Sequence, residues 1–176
     1  MRIINSTPFL VFLAIILALY YTMKPSNSTD RDKLATLELQ LLSGDTLDLK
    51  EFAGESYIIH LFSSWCGNCK DDLPFLKEIQ TQTQTMVIGM AVKDKESRIR
   101  TLSKQNLPYN FIATDQNMAV AKLLRTRSIP ETIIINPEGK IIFRYIGGLS
   151  QAVVQDQIIP GLNKIRQEQL DKEYSE

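Results

Sequence analysis

The sequence predicts an α/β domain: a mixed sheet with helices on both faces and an N-terminal β-hairpin extension, preceded by one transmembrane helix. Two observations carry that reading. Apolar residues fall into blocks ordered as β-hairpin, β-α-β-α, β-β-α, a succession that places helices on both sides of one sheet. Ahead of them, Phe9 to Tyr21 is an unbroken apolar run of thirteen residues, and Ile3, Ile4 and Met23 extend it, with polar interruptions, over twenty-one positions. A bilayer core needs roughly 20 predominantly apolar residues, so the stretch is adequate though slightly short. A cleaved signal peptide would end in small residues, whereas this run ends in Tyr20, Tyr21, Thr22, Met23 and Lys24. The two tyrosines suit a headgroup layer, which favours a retained anchor over residues 1–24. Arg2 and Lys24 give little signal for its orientation. With or without cleavage, the domain is expected to be exported.

Each later element has its own local reason. Pro25 to Asp32 (PSNSTDRD) is polar and turn-rich and reads as a tether, so that residues 25–34 lead into a domain over residues 35–176. Leu37, Leu39 and Leu41 alternate with polar residues, Ser43-Gly44-Asp45 marks a turn, and Leu47 and Leu49 resume the alternation, which predicts a hairpin. Tyr57 to Phe62 (YIIHLF) is a short, nearly continuous apolar strand of the buried kind, and Met86 to Val92 is another. A helix is expected from about Cys66 to Gln80. A second runs from Lys95 to Asn106 with Ile99 and Leu102 facing inward, and a shorter one from Asn117 to Leu124. Thr132–Asn136 and Ile141–Ile146 flank Pro137-Glu138-Gly139-Lys140 as an antiparallel hairpin. From Ser150 onward, Val154, Ile158, Leu162 and Ile165 share one helical face. Pro160 must kink or restart that helix, because it cannot donate to the carbonyl four residues back.

Composition excludes several classes of function. Twenty basic and twenty acidic side chains cancel, and no stretch gathers Lys or Arg into a patch, so a nucleic-acid partner is not expected. The only two cysteines, Cys66 and Cys69, stand three apart. A bridge between them closes too small a loop to constrain the unfolded chain, so its value must be chemical. Zinc needs about four ligands and the chain offers two cysteines and one histidine, His60. Covalent haem attachment would need histidine directly after Cys69, where Lys70 stands. The reading therefore includes no metal and no cofactor.

Redox chemistry fits the pair best. Thiols at i and i+3 on a helix lie on one face, close enough to bridge at its first turn. A strand ending at Phe62 that feeds a helix beginning near Cys66 brings the first sulfur against unpaired N–H groups and the positive end of the dipole. Both favour thiolate, the form that attacks disulfides. Cys66 is thus the expected nucleophile, and Cys69, one turn inside, the residue that resolves a mixed disulfide. A passive structural disulfide is the alternative, disfavoured by the tiny loop.

Phe62-Ser63-Ser64-Trp65-Cys66-Gly67-Asn68-Cys69, with Pro74 five residues on, resembles the thioredoxin superfamily. One branch is resembled more closely: the membrane-tethered thiol:disulfide reductases of cytochrome c maturation in Gram-negative bacteria. The motifs are Ile88-Gly89, Lys93-Asp94, Leu107-Pro108-Tyr109, Ile129-Pro130-Glu131-Thr132, Asn136-Pro137-Glu138-Gly139 and Tyr145-Ile146-Gly147-Gly148-Leu149, spread over most of Leu37 to Ile165. Members usually carry a glycine shortly before that proline, where this chain has Arg127-Ser128.

The resemblance implies a thioredoxin-like fold on the periplasmic side of the inner membrane. It implies electrons taken from a membrane thiol donor and passed to apocytochrome c or to a partner cysteine protein of cytochrome c maturation. A general extracytoplasmic thioredoxin-like reductase, and a tethered escort for apocytochrome or haem without turnover, stand as alternatives. Trp65 is a supporting residue of the site. Pro130 is expected in cis beside the cysteines; without the resemblance it reads as an ordinary loop proline before a strand. Glu131 relays a proton of Cys69 if buried near it, and is a solvated strand-end residue if exposed. His60, six residues before Cys66, occupies a strand position where thioredoxins often keep a buried acid. Alternation sets it with Phe62, opposite Ile59 and Leu61. There it either takes the proton of Cys69 or is a packed strand residue with no catalytic task.

Overall fold

In the computed structural model, which describes Leu13, Ile15, Leu34 and residues 37–174, two sheets are present. The smaller is the expected hairpin, β1 (Glu38–Gln40) and β2 (Thr46–Asp48), antiparallel with Leu39 opposite Leu47. Gly44 turns it at φ 103°, a left-handed conformation that a side chain would disfavour. A 3₁₀ turn over Leu49–Phe52 comes next, with the Asp48 carboxylate accepting from the Lys50 N–H.

The larger sheet has the order β5-β4-β3-β6-β7. Its centre is β3 (Tyr57–Phe62), buried at every position, with β4 (Met86–Val92) parallel on one side and β6 (Glu131–Ile135) antiparallel on the other. β5 (Phe111–Asp115) joins β4 in parallel, and β7 (Ile141–Ile146) closes the far edge antiparallel to β6. The mixed sheet is thus as expected, but residues 107–116 carry no strand in the sequence reading. β5 alternates only weakly in burial, and its partner β4 is what makes it a strand.

Helices cover both faces. On the side of Ile58, Phe62 and Val87 lie α1 (Gly67–Asp71), α2 (Leu73–Thr83), α3 (Glu96–Ser103), α5 (Gln151–Val153) and α6 (Ile159–Glu173). Ile99 and Leu102 of α3 face inward as expected. On the side of Ile59, Leu61, Ile88 and Ile133 lie the hairpin, the 3₁₀ turn and α4 (Ala119–Leu123). The helix expected over residues 66–80 is two pieces that meet at Asp72, because Pro74 has no N–H to continue the first ladder. Pro160 acts in the same way. A π turn over Val154–Ile158 precedes it, and α6 restarts with the proline in its first turn.

No helix among the described residues is long and apolar enough to cross a membrane. The expected anchor, residues 1–24, lies outside them apart from Leu13 and Ile15. Among the described residues, the three apolar clusters are built from Leu34 onward. Deleting residues 1–23 and exporting the remainder by a cleavable signal should therefore leave a folded, redox-active domain. Circular dichroism and a thiol assay check it, and an insoluble or redox-dead product would make the anchor part of the fold.

Candidate active site

The site forms where β3 hands over to α1. Ser63, buried just after the strand, donates through Oγ to the carbonyl of Val92 at 2.6 Å, tying the loop to the end of β4. The buried Asp94 carboxylate accepts from the N–H groups of Ser64 and Lys95. These ties fix the chain before the cysteines; Ser63 and Asp94 stand in motifs of the resemblance, but their tasks were not read from sequence, since each reaches a segment about 30 residues away.

Cys66 is the N-cap of α1, in extended conformation at φ −86° and ψ 114°, and its Sγ accepts from the Cys69 N–H at 3.2 Å. Cys66 and Cys69 are joined in a disulfide with Cα atoms 5.3 Å apart. Their exposure differs: Cys66 is partly exposed, whereas Cys69 is 2% exposed and packs with Phe62, Ala91, Ile99 and Leu102. One sulfur is therefore open to a second molecule and the other is shielded. Trp65 is 58% exposed and lines a cleft of about 500 Å³ with Lys70, Arg98 and Leu102. Ile129, like Cys66, packs against the cluster that holds Cys69, and the Ile129–Pro130 peptide bond is cis, as the resemblance implies.

Glu131 is fully buried, but it stands opposite Leu61 and Ile146 in the sheet register, on the Leu61 face. Cys69 packs on the Phe62 face. The Glu131 Oε1 pairs with Arg144, whose Nη2 also donates to the Leu124 carbonyl at 2.7 Å, while among the described residues Oε2 has no hydrogen-bond partner. The geometry supports an ion pair under the cis-proline segment rather than a contact with Cys69.

His60 shares the face of Phe62, with ring centroids 6.2 Å apart, as alternation implies. Both of its nitrogens are engaged, and neither by a cysteine. Nδ1 lies 2.8 Å from the Tyr109 hydroxyl, and Nε2 lies 3.2 Å from Asp72 Oδ2. Asp72 is the residue that the sequence reading missed. The available signal was its place one helical turn beyond Cys69, on the same face.

Gly89, opposite His60 in the β3–β4 register, makes room for this group: a Cβ there would meet the Tyr109 ring at 2.7 Å. Gly89→Ala should push Tyr109 off the strand and cost about 1–3 kcal/mol through overpacking. Denaturant unfolding measures that loss, and unchanged stability would mean that the ring can yield.

Among the described residues no group of three or more His, Cys, Asp or Glu is placed to hold a metal ion. A five-stranded mixed sheet with a Cys-x-x-Cys disulfide at the head of a helix, and a cis proline leading into β6, defines a thioredoxin-like thiol:disulfide oxidoreductase. The chain belongs to the redoxin family, whose profile matches residues 29–158. It is 26% identical over 163 residues to the thiol:disulfide interchange protein DsbE of Xylella fastidiosa, covering 87% of this chain and 83% of that one. It is also 26% identical over 112 residues to the thiol:disulfide interchange protein CycY of Rhizobium leguminosarum, a match covering 63% of this chain and only 60% of that protein. Among solved structures, a secreted Mycobacterium tuberculosis disulfide oxidoreductase homologous to E. coli DsbE superposes with a TM-score of 0.64 at 17% identity. The superposition covers 76% of this chain and 98% of that one. At that identity the likeness bears on the fold alone.

Proposed function

We propose that this protein is a membrane-tethered reductant that keeps cysteine pairs reduced during cytochrome c maturation, acting on apocytochrome c or on a partner cysteine protein. The observation that carries the redox part is the unequal exposure of the two sulfurs at the head of α1. In the reduced protein the Cys66 thiolate attacks a client disulfide. A mixed disulfide forms and one client thiolate leaves. Cys69 gives up its proton and attacks Cys66 Sγ, which releases the second client sulfur as thiol and closes the Cys66–Cys69 disulfide. Two electrons and two protons have then passed to the client. A membrane dithiol carrier, itself oxidised to a disulfide, returns them. The choice of client and compartment is supported by the motif resemblance, by the DsbE and CycY relatives and by the apolar N-terminal run.

The in-cell redox state of the pair tests the reading, with thiols trapped by alkylation. A pair that is mostly reduced, and that oxidises when the membrane thiol donor is removed, is the expected result. A pair that stays oxidised with the donor present would reverse the direction of electron flow. Equal reduction of unrelated secreted disulfides would leave a general reductase, and undisturbed cytochrome maturation with both cysteines replaced would leave an escort.

A further inference from the structure

The cleft beside the cysteines has a charge that the dithiol exchange does not use. One wall is the chain around the pair, with Trp65 and Lys70, and the other is α3, with Arg98 and Leu102. The remaining lining side chains, Ser64, Ser97, Thr101 and Gln105, are uncharged, so two cations share the cleft with no carboxylate among them. Among the described residues neither the Lys70 nor the Arg98 side chain has an ion-pair or hydrogen-bond partner. The nearby carboxylates are engaged or turned elsewhere. Glu96 pairs with Arg100, the buried Asp94 accepts the N–H groups of Ser64 and Lys95, and Asp71 is exposed and does not line the cleft.

Position ties this cleft to the client. Trp65 directly precedes the attacking sulfur of Cys66, and neighbouring Cα atoms lie about 3.8 Å apart. The α3 wall from Arg98 to Leu102 runs about 6 Å at 1.5 Å per residue, which matches about two residues of an extended chain. A client joined to Cys66 by a mixed disulfide therefore has the residues next to its own cysteine at this cleft. Trp65, 58% exposed, and Leu102 offer apolar area, and the hydroxyl and amide side chains can meet a client backbone. A basic neighbour there would meet two unpaired cations, which disfavours that encounter, whereas a carboxylate would be attracted by both.

We propose that Lys70 and Arg98 are specificity-determining residues that select clients carrying an acidic side chain within about two residues of the target cysteine. This rests on the reduction of client disulfides proposed above and adds the chemistry of the segment recognised. Lys70 comes from α1 and Arg98 from α3, so the selection is built by the packing of α3 beside the cysteine loop.

The test uses the full chain in a non-ionic detergent and three synthetic peptides of equal length, each with one internal disulfide. They differ only in the residues flanking the cysteines: Glu, Gln or Lys. At low ionic strength kcat/KM should be about tenfold higher for the Glu peptide than for the Lys peptide, with the Gln peptide between them. Added salt should erase most of that ratio in the wild-type protein, a readout that needs no variant. Arg98→Glu should bring the ratio to about one, and Lys70→Glu combined with it should invert the preference. Lys140→Glu applies the same change of charge at the opposite end of the sheet, beyond the Tyr57–Ile135 pair, and should keep the wild-type ratio.

Trp65 is the only tryptophan, so its emission reports occupancy of the cleft without any redox step. Serine-for-cysteine versions of the peptides, titrated into the oxidised protein, should change that emission for the Glu sequence and not for the Lys sequence. Equal kcat/KM for the three peptides overturns the proposal, as does a wild-type ratio in Arg98→Glu. An equal loss of the ratio in Lys140→Glu also overturns it, because net charge and not the cleft would then be selecting. So does an emission change produced equally by inorganic phosphate at matched ionic strength, which would mark a plain anion site. A protein that reduces none of the peptides, while its Trp65 emission still separates the Glu from the Lys sequence, would instead overturn the reaction and leave the selection standing.

Discussion

Cys66→Ser should abolish disulfide reduction, with a loss on the order of 10³-fold or more, because a serine hydroxyl at neutral pH supplies no comparable nucleophile. The geometry makes this the largest single effect available. Cys66 is the sulfur with exposed surface, and as N-cap of α1 it sits against the unpaired N–H groups of the first turn. Cys69, at 2% exposure, is walled in by Phe62, Ala91, Ile99 and Leu102 and cannot take over attack on a client. The fold should survive, since serine is itself a good N-cap and the bridged loop is short. The check is steady-state reduction of a protein disulfide, with circular dichroism as the control for folding. Retained activity above a few per cent would mean that Cys69 is the attacking sulfur.

Cys69→Ser should behave differently. Attack by Cys66 survives, resolution does not, and clients accumulate as mixed disulfides at up to about one per protein molecule. Turnover falls nearly as far as in the first variant, but the first half-reaction keeps its rate. Non-reducing electrophoresis with mass spectrometry of the trapped species reads this directly, and the trapped proteins identify the clients. If Cys69→Ser trapped nothing and Cys66→Ser did, the roles of the two sulfurs would be exchanged. Trapped species rich in apocytochrome c or cysteine proteins of its maturation support the proposed compartment. A broad set of unrelated secreted proteins supports a general reductase.

Much of this molecule was legible from local pattern. The strands Tyr57–Phe62, Met86–Val92 and Ile141–Ile146 fall where apolar blocks place them, and β6 begins one residue earlier than its block suggests. These segments are buried in the centre of the sheet or close a tight hairpin, so composition within a few residues specifies them. β5 was not legible, because Phe111–Asp115 becomes a strand through pairing with β4 and through the hairpin, whose Leu42 N–H donates to the Ile112 carbonyl. Helix ends were less legible than helices. The break at Asp72 and the π turn before Pro160 depend on how each proline's missing donor is accommodated by its neighbours.

The sequence by itself determined the cysteine pair and which of its two sulfurs heads the helix. Spacing, a strand before and a helix after are properties of about a dozen consecutive residues, and they decide which sulfur heads the helix. Only the tertiary structure decided what surrounds the pair. His60 meets Asp72 across 12 residues and Tyr109 across 49, while Glu131 turns to Arg144 on the opposite face. Partner choice for a buried polar group depends on which elements the sheet order brings against it, since every such group must find a donor or acceptor among whatever packs there. That order is a long-range outcome of packing, and no window of the chain around His60 contains it.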